Sequence, residues 1–183
     1  MRILQGSLKG RQIKVPKNIR PVANIVKKAC FDIMRGEIED KRILELFAGS
    51  GALGIESISQ GAKEAVFVDS ERESIKAINI NLASLGLSQN TRVYLKDTLS
   101  AIKDFSVYRE VFDIIFLDPP YYEGMLKSSL QNLEEYDILT THGYLICFCY
   151  VKDEYVTESS KFSIAVEKKY GQTLLLIYKK KGG

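Results

Sequence analysis

The run from Asp113 to Gly124 reads DIIFLDPPYYEG, in which four apolar residues, Ile114 to Leu117, end abruptly at an acid, two prolines and two tyrosines. Pro120 biases Pro119, and Pro119 biases Asp118, toward extended backbone, and neither proline can donate to a sheet ladder. A strand must stop here, leaving the Asp118 carboxylate and the Pro119 carbonyl as two acceptors, with Tyr121 beside them as a flat apolar face. Two acceptors and an aromatic platform suit a planar amino group, such as the exocyclic amine of a base, better than a hydride acceptor. The plainer reading of the same residues is a strand terminator followed by a helix cap.

A second set of candidates lies upstream, in Glu45-Leu46-Phe47-Ala48-Gly49-Ser50-Gly51-Ala52-Leu53-Gly54. Glycines here permit a tight turn and close approach of a ligand to the backbone, and a following helix offers N–H groups and a positive dipole end. Gly49, Gly51 and Gly54 fit G-x-G-x-x-G, and Asp69 lies 20 residues beyond Gly49. That spacing suits a dinucleotide or another adenosine ligand equally, since both present a ribose whose hydroxyls seek a carboxylate. Asp97 either accepts from an adenine amino group or caps the helix that follows. Ser50, Ser70 and Thr98 flank these positions and join the candidate set.

The elements that must hold these residues follow from the apolar pattern. Strands are expected at Arg42 to Phe47, Ala65 to Val68, Thr91 to Leu95, Phe112 to Leu117 and Gly143 to Val151. Helices are expected at Ala52 to Gln60, around Ile75, Ile78, Leu82 and Leu85, and over about 98 to 103 and 124 to 134. Alternating βα units predict a parallel sheet covered on both faces, with ligands beyond the carboxyl ends of its strands. Phe162 to Lys169 and Thr173 to Tyr178 leave no room for a helix between them and predict a closing antiparallel hairpin. Lys179 to Gly183 reads as a frayed tail. Upstream, Arg2 to Leu4 and Arg11 to Val15 predict a hairpin, and Val22, Ile25, Val26, Ala29, Ile33 and Met34 an amphipathic helix stopped by Gly36.

The 183 residues suit one domain, and 45% hydrophobic with 27% charged residues is a globular composition. No apolar run nears the roughly 20 residues of a membrane helix and no signal-like segment opens the chain, so a cytoplasmic protein without membrane association is expected. Cys30, Cys147 and Cys149 give no disulfide framework, and with His142 the sole histidine no zinc set can be assembled; packing in the core explains these cysteines, and no metal is expected. The net charge is +3, yet the first 28 residues hold eight basic side chains and no acid, which leaves −5 for the remainder. Such an end suits an anionic polymer or a merely solvated edge.

At these residues the chain resembles a class I S-adenosylmethionine-dependent methyltransferase. ELFAGSG is similar to that fold's cofactor loop, and DPPY to the motif, Asp or Asn followed by Pro-Pro and Tyr or Phe, of enzymes that methylate amino nitrogens. Over nearly its whole length, from RILQGSLKGRQIKVP through ILELFAGSGALGIESISQGA to FDIIFLDPPY, it resembles the RsmD family of 16S rRNA guanine-N2 methyltransferases. The resemblance implies a Rossmann-like α/β fold: a mostly parallel seven-stranded sheet with a C-terminal antiparallel hairpin, carrying an N-terminal basic hairpin and helix. It implies one domain over 1–183, with residues 1–40 meeting RNA and 41–183 forming the catalytic core. Glu45, Phe47, Gly49 and Gly51 would border the methionine part of S-adenosyl-L-methionine, Asp69 the ribose and Asp97 the adenine. Asp118 and the Pro119 carbonyl would grip the guanine amine, with Tyr121 stacked on the ring.

Arg2, Lys9, Arg11, Lys14 and Arg20 would contact 16S rRNA or a small-subunit particle, and a monomer is expected. Where the family reads R-P-T-x-D-R-V-R-E, this chain has Val22, Asn24 and Ile25 in place of the hydroxyl, acid and arginine. A DNA amino-methyltransferase shares the site; a nicotinamide oxidoreductase shares only the glycines; a non-catalytic RNA-binding assembly factor would use the basic arm alone.

Overall fold

The structure, a computed structural model, describes residues 1–16, 22–120, 124–157 and 159–181. Its centre is a seven-stranded sheet: β1 (Arg42–Leu46), β2 (Glu64–Asp69), β3 (Thr91–Leu95), β4 (Phe112–Leu117), β5 (Leu139–Tyr150), β6 (Phe162–Tyr170) and β7 (Thr173–Lys180). The order is β3-β2-β1-β4-β5-β7-β6. β1 to β5 run parallel, whereas β7 is antiparallel to both β5 and β6. The Rossmann-like expectation is met, down to the C-terminal hairpin inserted beside β5. Strand order reverses between β1 and β4, which is where such sheets open a crevice at their carboxyl ends.

Alternate residues of each strand feed opposite cores. Ile43, Phe67, Ile114 and Phe116 pack with α1 (Asn24–Ile33), α2 (Ala52–Ser59) and α3 (Arg72–Leu85) on one face. Leu44, Val66, Ile115 and Leu117 pack with α4 (Thr98–Val107) and α5 (Met125–Tyr136) on the other. Burial on both faces explains why these strands read as near-continuous apolar runs. Cys147 and Cys149 share one face of β5 and are buried in the second core, as free thiols.

Some boundaries shift. α4 continues four residues past the expected end, because Phe105 extends the buried stripe of Ala101 and Ile102. β5 starts at Leu139, earlier than expected, with a register irregularity between Phe112 and Ile114 absorbing the polar turn residues. Lys179 and Lys180 are no tail: both lie in β7, and Lys180 Nζ reaches Asp137 and the Leu139 carbonyl, each at 2.6 Å. Gly182 and Gly183 lie outside the described residues.

The N-terminal arm pairs as a hairpin through one antiparallel bridge, Arg2 to Gln12, flanked by Ile3 N–H to Arg11 O at 3.0 Å and Ile13 N–H to Met1 O at 2.9 Å. It is fastened to α2. Glu56 accepts from Leu4 N–H and Gln5 N–H and pairs with Lys27 Nζ at 2.8 Å, with both charged side chains fully buried. Lys27 is thus lost to the basic surface that the composition suggests, and Lys28 is paired with Asp32.

Candidate active site

A cavity of about 620 Å³ opens at the carboxyl ends of β1, β2, β3 and β4, in the size range of small-molecule sites. Glu45, Phe47, Gly49, Ser50, Asp69, Ser70, Asp97, Thr98, Asp118 and Pro119 all line it. A second concavity of about 690 Å³, beside β6, is lined by serines and by Glu134, whose carboxylate is already taken by Ser159 and Ser160. Lys181, which also lines it, donates to Ser159 O at 2.7 Å, and none of the expected site residues borders it, so the first cavity is the candidate site.

The glycine loop owes its shape to backbone that only some residues tolerate. Phe47, Gly49 and Gly51 all have positive φ, at 57°, 53° and 74°. Gly54 serves packing instead: a Cβ there would fall 2.4 Å from the Phe67 ring, so α2 lies tight against β2. Asp69, 8% exposed, locks the loop, since Oδ2 accepts from Gly49 N–H at 2.7 Å and Oδ1 from Glu71 N–H at 2.8 Å. These two bonds hold the carboxylate at the cavity wall.

The N-terminus of α2 is not left open in the manner the glycine motif suggests. Glu45 caps it, with Oε2 accepting from Gly54 N–H at 2.8 Å and Oε1 from Leu53 N–H at 3.2 Å. Burial still dominates over these bonds and pushes the Glu45 carboxyl up to about 8, with the charge of Asp118 adding to the rise. Asp118 ends β4 as the prolines require, and burial lifts its carboxyl to about 7. Two carboxyls that sense each other across one cavity favour a ligand bearing positive charge.

Asp97 meets one of its two readings fully and is placed for the other. Its Oδ1 caps α4 by accepting from Ser100 N–H at 2.9 Å, while the residue also borders the cavity with buried Thr98. Tyr121 lies outside the described residues, as does Arg20. Gly51 borders no part of the cavity wall and acts through its left-handed turn, its N–H bonded to Ala48 O at 2.7 Å. Arg2, Lys9, Arg11 and Lys14 are all exposed, and Arg11 Nη2 donates to Ser84 O at 3.1 Å.

Sequence reasoning missed part of the wall. Val22 and Ala23, just before α1, Met125 at the start of α5 and Thr173 at the start of β7 also reach the cavity. Val22 and Ala23 belong to the stretch where the chain departs from the family pattern, and Ile25 beside them is 68% exposed. Met125 could have been suspected as the first helical residue after DPPYYEG; nothing local marks Thr173. Asn81, buried on α3, bonds both Lys14 of the arm and Ser50 of the loop, and no motif announces it. Among the described residues no cluster of three or more His, Cys, Asp or Glu could hold a metal ion, and no helix is long and apolar enough to cross a membrane.

Comparison with known proteins agrees with this geometry. The family model described as "Conserved hypothetical protein 95" matches residues 1–179. YlbH of Bacillus subtilis, whose name proposes an rRNA methyltransferase, is 35% identical over 100% of both chains. A Buchnera aphidicola protein named "Ribosomal RNA small subunit methyltransferase D" is 31% identical over 98% of this chain and 86% of its own. The solved structure of yhhF from Escherichia coli, whose title proposes a methyltransferase, superposes with a TM-score of 0.86 at 28% identity, covering 100% of this chain and 99% of that one. With a family model spanning nearly every residue and full-length relatives above 30% identity, the chain belongs to the RsmD family of methyltransferases.

Proposed function

We propose that this chain is an S-adenosylmethionine-dependent methyltransferase that modifies the exocyclic N2 amine of a guanine in 16S rRNA. The observation that carries the reading is the placement of Asp118 and buried Pro119 at the end of β4, in one cavity with Glu45, the glycine loop, Asp69 and Asp97. The relatives' names support the RNA, and a strand order with β7 antiparallel between β5 and β6 departs from the 3-2-1-4-5-6 sheet of a dinucleotide oxidoreductase. In this reading residues 1–40 meet RNA through Arg2, Lys9, Arg11, Lys14 and Arg20, and 41–183 carry out catalysis as one domain. The protein works as a cytoplasmic monomer.

The cavity fits the cofactor by its chemistry: a carboxylate at the end of β2 for ribose hydroxyls, an acid at the end of β3 for the adenine, and uncompensated carboxyls near the methionine end. When bound, S-adenosylmethionine supplies an electrophilic methyl group on a sulfonium. Asp69 and Ser70 hold the ribose edge, Asp97 and Thr98 the adenine edge, and Glu45, Phe47, Gly49, Ser50 and Gly51 shape the methionine end. Asp118 and the Pro119 carbonyl accept the two N–H groups of the guanine amine, and Tyr121 stacks on its ring. These contacts turn the nitrogen lone pair out of conjugation and toward the methyl. With the amine so held by Asp118 and the Pro119 carbonyl, its lone pair would face the methyl group that the cofactor would supply, the sulfur keeping the C–S electrons as a neutral thioether. The surplus proton passes to Asp118, whose affinity near neutrality suits it. Such positioning lowers a barrier by about 7–11 kcal/mol in favourable cases.

The test is labelled methyl transfer to small-subunit particles from cells lacking the protein, with the modified nucleotide mapped by digestion and mass spectrometry. Label on guanine N2 of 16S rRNA is the expected result. Label on DNA alone, on another atom, or RNA binding without consumption of cofactor would overturn the reading.

A further inference from the structure

Asn81 is 1% exposed on α3, yet every polar bond of its side chain leaves the helix. Its Oδ1 accepts from Lys14 N–H at 2.7 Å, and its Nδ2 donates to Lys14 O at 2.9 Å and to Ser50 O at 3.0 Å. A primary amide has two donor protons, so one serves the N-terminal arm and the other the glycine loop. The planar amide cannot turn to suit one without losing the other. Asp69 grips the same loop from the other side at Gly49, so Ser50 sits between two buried side-chain contacts.

We propose that Asn81 is a positioning residue that couples the arm to the loop, so that RNA on the arm and cofactor on the loop strengthen each other's binding. The inference rests on the functional reading above. RNA held by exposed Lys9, Arg11 and Lys14 fixes the arm and, through the Lys14 peptide, the orientation of the Asn81 amide. That amide then presents its second proton to Ser50 O, which fixes the loop before cofactor arrives. Either ligand thereby meets the ordering requirement of the other, and linkage makes the effect reciprocal. The arm's other side-chain fastenings run to α2 through Glu56 and Ser59, to α1 through Asp32 and Lys27, and to the Ser84 carbonyl of α3, and none of these reaches the loop.

The experiment measures the affinity of S-adenosylhomocysteine by calorimetry with and without a 16S rRNA transcript. In the native protein RNA should tighten it about 5- to 20-fold, within the usual range of coupling. In Asn81→Asp, which keeps an acceptor for Lys14 N–H but has no proton for Ser50 O, the factor should fall to about one. Ser59→Ala loosens the arm on α2 and should weaken RNA binding while leaving the factor intact. A factor of one in the native protein, or a factor that survives Asn81→Asp, would overturn the coupling while the functional reading stands. Failure of either ligand to bind alone would overturn that reading and this inference together. Should Asn81→Asp not fold, exchange of the Lys14 amide in the native protein decides: saturating S-adenosylhomocysteine should slow it at least about fivefold relative to the Ile3 amide, and an unchanged ratio would overturn the coupling.

Discussion

The two ends of the same four parallel strands treat charge in opposite ways. At the amino ends of β1 and β2 and beside β3 and β4, Arg42, Glu64, Arg92 and Glu110 alternate in sign, with each acid bridging both arginines at 2.6 to 3.4 Å. The hydrogen bond from Arg92 holds Glu110 below the ordinary carboxylate range. At the carboxyl ends Glu45 and Asp118 have no ion pair among the described residues, and burial raises both. The fold thus pairs charge where the strands need only be held, and leaves carboxyls without a cationic partner, and so prone to hold a proton, where a ligand is to enter. The cost of burying unpaired carboxyls is the mark of a site rather than of a scaffold.

The sharpest way to break this contrast is to remove one acid from the open end. Asp118→Ala should lower turnover about 10²- to 10⁴-fold, the usual worth of a positioned acid–base group, while S-adenosylhomocysteine affinity changes by less than about threefold. Single-turnover methyl transfer and calorimetry measure the two separately. Asp118→Asn keeps one acceptor but cannot take a proton: near-native activity would mean the carboxylate only positions the amine, and full loss that it receives the proton. Normal turnover in Asp118→Ala would leave the open end without a catalytic role.

A smaller loss is expected where the site leans on packing. In Gly54→Ala the new methyl meets the Phe67 ring and lies 3.0 Å from Glu45 Oε2, so α2 must shift from β2. Overpacking of this kind should destabilise the fold by about 1–3 kcal/mol, read from denaturant unfolding, and weaken cofactor binding through the displaced cap.

Charge at the open end also predicts a pH effect of definite sign. For Glu45 and Asp118 the folded value lies above the unfolded one, so the folded state holds extra protons between about 4 and 8. Their contribution to stability is full below about 4 and is lost as pH rises through 7 to 8. The thermal midpoint of the free protein should fall over this window, and Asp118→Asn should flatten the fall. A sulfonium stabilises the ionised carboxylates and a thioether does not. The preference for S-adenosylmethionine over S-adenosylhomocysteine should therefore grow from pH 6 to pH 8, by about tenfold for each pK unit that the cation restores. A pH-independent ratio would mean that neither acid senses the sulfonium.

How far the sequence could be read depended on whether the signal was local. β3 and β4 were legible to the residue: β3 as the β-prone run TRVYL between Asn90 and the Lys96-Asp97 pair, β4 as an apolar run closed by Asp118 and the proline pair. The glycine loop and Asp69, Asp97 and Asp118 were legible for the same reason, since strand ends and tight turns leave marks in neighbouring residues. Lys27 and Glu56 were not, because a buried ion pair between helices looks in sequence like two solvated charges. The walls given by Val22, Met125 and Thr173 come from distant elements, and only the assembled topology brings them to one cavity. Lys179 and Lys180 read as solvated tail because a cationic run hides a strand whose pairing partners lie elsewhere in the chain.

The paired end supplies the mildest test, and a useful control. Glu110→Gln removes one acid from the alternating set and leaves Arg42 and Arg92 sharing Glu64 alone. Both arginines and Glu110 remain roughly a quarter to a third exposed, so water screens much of what is lost. The destabilisation should be under about 1 kcal/mol and should shrink further at high salt, as it does for surface pairs. Turnover should not change, because the network lies across the length of the strands from Asp118. A large loss of activity in Glu110→Gln would mean that the sheet transmits strain from one end to the other, and that the division of labour between its two edges is less complete than their charges imply.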